Sequence, residues 1–146
     1  MTIYELGIIH EGVPLVYKSY NEEKKSIDPV LRSGFLQALN TFASEAFSDE
    51  IENFEMKNFK IALFSYAVRK KPPKYVITTY CIGDKKLNLK LATRCLTKIV
   101  NEFVNKYGSL EAVTDALHDF SEFTCVFDDV LGDQTKKAED RVRSIF

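Results

Sequence analysis

The sequence contains no tryptophan, only two histidines, and no pair of cysteines at the C-x-x-C spacing of a metal or redox site. Each shortage narrows the chemistry. His10 and His118 stand far apart, with no ligand spacing around either, so neither reads as a metal ligand or a catalytic base. Cys81, Cys95 and Cys125 are odd in number and widely separated, which is the pattern of reduced, mostly buried thiols. Cys81 would act as a nucleophile only beside a base, and no histidine is near it in sequence. Neither G-x-x-x-x-G-K-[ST] nor G-x-G-x-x-G occurs, so the chain shows no phosphate cradle of its own. A surplus of either charge is also lacking: 20 basic residues face 21 acidic ones, for a net charge of −1. That balance argues against non-specific nucleic-acid binding, which needs a basic surplus on at least one face. No apolar run approaches the ~20 residues needed to span a bilayer. The first residues lack the basic-then-apolar pattern of a signal peptide, and the last carry no lipidation cysteine. The expectation is a cytoplasmic protein that is not an enzyme and has no cofactor or metal.

What is present is a good core composition. Hydrophobic residues make up 45% and charged residues 28% of 146 positions, ordinary for one globular domain. The organising stretch is 59–82. It reads as two strands, 59–67 and 75–82, joined by a charged, proline-broken loop. Apolar side chains fall on both faces of each strand, which marks central strands of a sheet. Residues 3–9 read as another central strand. After the turn at Gly12, Pro14 and Lys18 suit an edge strand through Tyr20. Residues 52–57 form a short, polar candidate for the opposite edge.

Two helices flank the hairpin. Asp28–Pro29 is a helix start, an N-cap side chain followed by proline at the first helical position. From there to Phe47, Leu31, Phe35, Ala38, Leu39, Phe42, Ala43 and Ala46 recur at spacings of three and four. They predict one broad buried face, with Gly34 and the alanines allowing close approach to a sheet. Residues 87–107 predict a second helix. Its buried stripe is Leu91, Ala92, Cys95, Leu96, Ile99, Val100, Phe103 and Tyr107. Its wet face is Lys90, Arg94, Lys98, Asn101, Glu102 and Asn105. Gly108 stops it, and Ser109 can cap the next element. Leu110, Val113, Leu117, Phe120, Phe127 and Leu131 continue at near-helical spacing until Gly132. Residues 1–132 are thus expected to form the domain, and 133–146 a charged, helix-compatible tail.

The order β-β-α-β-β-β-α-α resembles the longin fold, within the SNARE-like group that also holds the roadblock domains. Further likeness lies in G-V-P-L at 12–15, SGFLQALNTFA at 33–43 and KLATRCLTKIVNEFVNKYG at 90–108, phrases similar to those of small stand-alone archaeal members. The likeness covers roughly 3–131. It implies an α+β fold, an α/β/α sandwich around a five-stranded antiparallel sheet. It also implies a protein-interaction module that dimerises, as a homodimer or heterodimer, through a sheet edge and the first helix. The partner would be a small GTPase or another longin or roadblock protein, in vesicle trafficking or signalling. The chain departs from membrane-fusion longins: no heptad segment follows the domain. A small-molecule sensor, holding a ligand between sheet and helices, is the alternative.

The candidate interface under the longin reading is the exposed side of the first helix, Gln37, Asn40, Thr41 and Ser44, with the edge residues Glu52, Phe54 and Met56. The basic loop residues Arg69, Lys70, Lys71 and Lys74 are candidates for contact with anionic lipid headgroups, or a solubilising hairpin loop. Asp128, Asp129 and Asp133 form a loose acidic group, which at a helix end is normally solvated.

Overall fold

The computed structural model describes residues 3–20, 29–72, 74–107 and 120–134. Five strands form one antiparallel sheet in the order β2-β1-β5-β4-β3. They are β1 (Ile3–His10), β2 (Val13–Ser19), β3 (Asn53–Glu55), β4 (Lys60–Arg69) and β5 (Tyr75–Gly83). The hairpin of β4 and β5 and the opening strand β1 occupy the centre, and the proline-bearing β2 and the short β3 are the edges, as the residue patterns predict. The β1–β2 turn is tight: Glu11 and Gly12 both take positive φ, 48° and 79°. Two such residues between antiparallel strands form the hairpin turn whose twist matches that of the sheet.

The helices among the described residues are α1 (Pro29–Phe47), α2 (Leu89–Tyr107) and α3 (Thr124–Gln134), the last preceded by a 3-10 turn at Ser121–Phe123. Asn88 caps α2, its side-chain oxygen accepting from the Leu91 amide at 3.2 Å. α1 ends when Ser48 enters the left-handed region at φ 53° and donates its amide to the Ser44 carbonyl at 3.0 Å. Gly132 does not terminate α3, which continues to Gln134. Asp28, Gly108, Ser109, Leu110, Val113, Leu117, His118 and residues 135–146 lie outside the described residues.

Successive strand residues feed two separate cores. Leu6, Ile8, Ala62, Ile77 and Cys81 join α2 and α3 in the larger one, with Ala92, Cys95, Leu96, Ile99, Phe103, Phe123 and Phe127. The intervening residues Ile9, Ile61, Leu63 and Tyr80 meet Leu36 of α1 in a smaller one. Because side chains alternate along a strand, the two cores lie on opposite faces of the sheet. Every predicted member of the α2 stripe is buried except Leu91, which is half-buried. Aromatic rings dominate this core. Phe103 touches Tyr107, Phe120 and Phe123 at centroid distances of 5.1, 5.3 and 5.2 Å. One register detail departs from the simple alternation. A bulge between Ile3 and Glu5 turns Ile3 towards the larger core, although its spacing predicts the other face.

α1 departs further. Its buried residues are Ser33, Leu36 and Ala43, with Leu39 packed partly against the smaller core. Leu31, Phe35, Ala38, Phe42 and Ala46, predicted to face the sheet, are exposed. The helix is rotated by roughly 100° from the predicted phase, about one residue of turn. A Cβ added at Gly34 would point into open space. The β1–β2 turn makes the close approach to α1: a Cβ at Gly12 would meet Gln37 Cβ at 3.5 Å and Gly34 Cα at 3.9 Å.

A buried charge network sets this rotation. Arg32 of α1 donates to Glu5 Oε1, and the Tyr80 hydroxyl donates to Glu5 Oε2 at 2.7 Å. Glu5 is 4% exposed. Both its oxygens are therefore satisfied where water does not reach. Burial first, then the Glu5 charge, pushes the Tyr80 phenol well above its ordinary range. Gly7 belongs to the same arrangement. A Cβ there would lie 2.5 Å from the Tyr80 ring, so only glycine lets β1 pass under it. The Ser33 hydroxyl, beside Arg32, is buried with no hydrogen-bond partner.

Candidate interaction surface

The rotation of α1 leaves an apolar stripe on the outside of the molecule. Leu31, Phe35 and Phe42 are 68%, 45% and 64% exposed. Their spacing, with Ala38 between, is four, three, four, so they line one side of the helix. The stripe extends at both ends. Phe47 lies 6.2 Å from Phe42, ring centroid to centroid, and Phe35 meets Phe54 of β3 edge-on at 6.1 Å. Met56, just beyond β3, is also exposed. An outer helix face and an open strand edge therefore share one apolar surface. Taking ~200 Å² for a fully exposed large apolar side chain, it amounts to several hundred Å², the size of the largest patch on an ordinary monomer or above it.

Its edge is open in the hydrogen-bonding sense. Among the described residues β3 pairs on one side only, Asn53 with Ala62, Phe54 with Ile61 and Glu55 with Lys60. A strand with one unpaired side is a template for another strand. The surroundings are acidic. Residues 33–56 include Glu45, Asp49, Glu50, Glu52 and Glu55 and no lysine or arginine. Lys60 offsets one of them, lying 3.3 Å from Glu55.

Of the predicted interface residues, Thr41, Ser44, Glu52 and Met56 are exposed, and Gln37, Asn40 and Phe54 are half-buried. Gln37 and Asn40 flank the sheet-facing side of α1, so the helical part of the surface is centred on Leu31, Phe35 and Phe42 instead. The signal for this was present: the two apolar stripes of the helix differ by one residue of rotation, and both satisfy the same periodicity. Arg69, at the end of β4, and Lys70, Lys71 and Lys74 beyond it lie at the opposite end of β4 from its pairing with β3. Lys70, Lys71 and Lys74 are exposed, and Arg69 reaches back to the Pro72 carbonyl at 3.4 Å.

Of the remaining chemical candidates, His10, Cys81 and Asp128 have packing or pairing roles, and His118 and the Asp133 side chain lie outside the described residues. His10 stacks on Tyr75 at 3.8 Å and 12°, and its Nδ1–H donates to the Val76 carbonyl at 2.9 Å. It holds the end of β1 to the start of β5. Cys81 sits in the larger core, where burial and then the neighbouring Cys95 push its thiol up to about 12, so it is no nucleophile at neutral pH. Asp128 accepts from Lys18 at 2.6 Å and from the Tyr20 hydroxyl at 3.0 Å, tying α3 to β2. Among the described residues no group of His, Cys, Asp and Glu is placed to hold a metal ion.

The hydrogen bond from Lys18 holds the Asp128 carboxyl below its ordinary range, and the Tyr20 hydroxyl and the Lys18 charge add to this. A folded-state value below the unfolded one stabilises above the unfolded value of about 3.9, and the effect is lost as pH falls through the folded value. Asp128 is half exposed, so the contribution is expected to stay under ~1 kcal/mol. Urea titrations of the parent and Asp128→Asn should differ slightly at pH 6 and converge towards pH ~2. A difference that persists in acid would mean the contact acts through packing rather than charge.

No helix of the described residues is long and apolar enough to cross a membrane. No family model matches the chain, and no curated protein matches it in sequence.

Proposed function

We propose that this chain is a non-enzymatic protein-interaction module of the longin type. It acts as a scaffold or regulator in a cytoplasmic trafficking or signalling complex, with a small GTPase or another longin or roadblock protein as partner. The observation that carries this reading is the apolar stripe Leu31–Phe35–Phe42, exposed on α1 and continuous through Phe54 with the open edge of β3. Apolar side chains on a helix beside an unpaired strand suit β-augmentation: backbone hydrogen bonds supply affinity and the side chains supply specificity. A standard interface buries about 800 Å² on each partner, which the stripe and edge together approach. Two-fold pairing of β3 with β3 would bring two α1 helices side by side and continue the sheet across both copies. The acidic rim sets the same surface up for a partner with basic groups around an apolar centre.

The test combines light scattering with binding to small GTPases loaded separately with GDP and a GTP analogue. The parent is expected to self-associate or to bind one nucleotide state. Phe42→Glu, which places a charge in the middle of the stripe, is expected to weaken that association at least ~30-fold while leaving the fold intact by circular dichroism. A parent that stays monomeric at high concentration and binds no GTPase in either state would overturn the reading.

A further inference from the structure

The face of the molecule opposite α1 carries a basic stripe. Lys90, Arg94 and Lys98 are exposed and lie on the side of α2 that points directly away from the sheet. Lys85 and Lys86, in the turn before the helix, are exposed as well. Residues 84–107 hold six basic and two acidic residues in a chain whose net charge is −1. This stretch is therefore locally basic in a chain that is nearly neutral as a whole. Among the described residues none of the five is in an ion pair; the cations that are paired are Lys18, Arg32 and Lys60.

This placement works against helix stability twice. Like charges at i and i+4 repel, and the series 90, 94, 98 contains two such pairs. The first turn of a helix, where the backbone dipole is positive, favours acidic side chains, and Lys90 stands there. α2 has none in its first turn; its single acidic residue, Glu102, comes later. Asn88 caps the helix without charge. A row of cations at the positive end of a helix is relieved by an extended anionic surface.

We infer that the outer face of α2 docks on an anionic lipid bilayer. The stripe is straight, since Lys90 to Lys98 spans ~12 Å of helix axis, so a flat sheet of headgroups can meet all its charges together. Four of the five cations are lysines, point charges suited to diffuse anionic headgroups rather than to the forked recognition of phosphate or base edges that arginine provides. No aromatic residue lies among them to stack on bases, as single-stranded nucleic acid requires. Clusters of four to eight basic residues on a helix face are of the size that binds phosphatidylserine-rich surfaces. Because α1 and α2 cover opposite faces of the sheet, a membrane under α2 leaves the Leu31–Phe42 stripe free for a protein.

The experiment is sedimentation with vesicles of phosphatidylcholine alone and with about 30% phosphatidylserine, at about 0.05 M and 0.5 M salt. The parent is expected to bind only the phosphatidylserine vesicles, and only at low salt. Lys90→Gln, Arg94→Gln and Lys98→Gln together are expected to reduce binding ~100-fold. These changes remove like-charge repulsion, so the variant keeps its fold. Phe42→Glu is expected to bind vesicles as the parent does, so failure here is distinct from failure of the protein-partner reading. The hairpin loop supplies a control. It joins β4 to β5, apart in sequence from the stripe, and carries Arg69, Lys70, Lys71 and Lys74. No binding by the parent at low salt would overturn the inference. So would loss of binding on replacing the four loop cations by glutamine while the α2 variant binds normally. Tighter binding to duplex DNA or RNA than to the vesicles would overturn it too, in favour of a nucleic acid.

Discussion

Replacing Arg32 with methionine is expected to destabilise the fold by ~3–5 kcal/mol, measured by urea titration at neutral pH. The substitution keeps most of the side chain's volume and its helix propensity, so the loss is that of the guanidinium. Glu5 is left in the interior with the Tyr80 hydroxyl as its hydrogen-bond donor and no counter-charge. A buried carboxylate without its cation loses its attraction while still lacking water, which is why breaking such a pair costs more than the pair contributes. Replacing both members, Glu5→Leu with Arg32→Met, is expected to recover most of the loss. It removes the buried charge along with its partner. If Arg32→Met alone costs less than ~0.5 kcal/mol, the pair does not hold α1 in its observed rotation.

Phe103→Ala is expected to cost a similar ~3–5 kcal/mol. The ring is fully buried and sits among Tyr107, Phe120 and Phe123. Truncation loses the transfer energy of the ring and leaves a cavity that neighbouring rings, held on α2 and the 3-10 turn, only partly fill. Phe42→Ala is the informative contrast. At 64% exposure it is expected to stay within ~0.5 kcal/mol at low protein concentration, where partners are dissociated. At high concentration its cost should grow if the stripe pairs copies, because association stabilises the folded state by mass action. A cost of several kcal/mol at every concentration would mean that Phe42 faces the sheet after all.

The contrast between α1 and α2 shows what was legible in the residues. In α2 the apolar positions make one stripe, and lysine, arginine, asparagine, threonine and one glutamate fill the rest, so only one rotation buries the helix. The same holds for the sheet. Alternating apolar residues on both faces of 60–69 and 75–83 require cover on both sides, and Pro14 and the short, polar β3 can serve only as edges. The five strands, which of them are edges, and the α2 core follow from these local patterns.

α1 is different because Arg32 and Glu45 are its only charged residues. Leu36, Leu39 and Ala43 form one apolar stripe; Leu31, Phe35, Ala38 and Phe42 form another beside it. Periodicity fits either against a sheet, and the second has the larger side chains. The choice was made by a contact between residues 27 positions apart: Arg32 reaching Glu5 on β1, with Tyr80 of β5 closing the site. Satisfying one buried carboxylate outweighed burying two phenylalanines, since an unpaired interior charge costs more than an exposed ring loses. Tertiary structure alone therefore decided which face of α1 meets water, and with it where the interaction surface lies. The basic stripe on α2 shows the same division. Its residues and their spacing are written in the sequence, whereas the absence of any counter-ion among the described residues, and its position opposite the apolar stripe, became visible only in the folded chain.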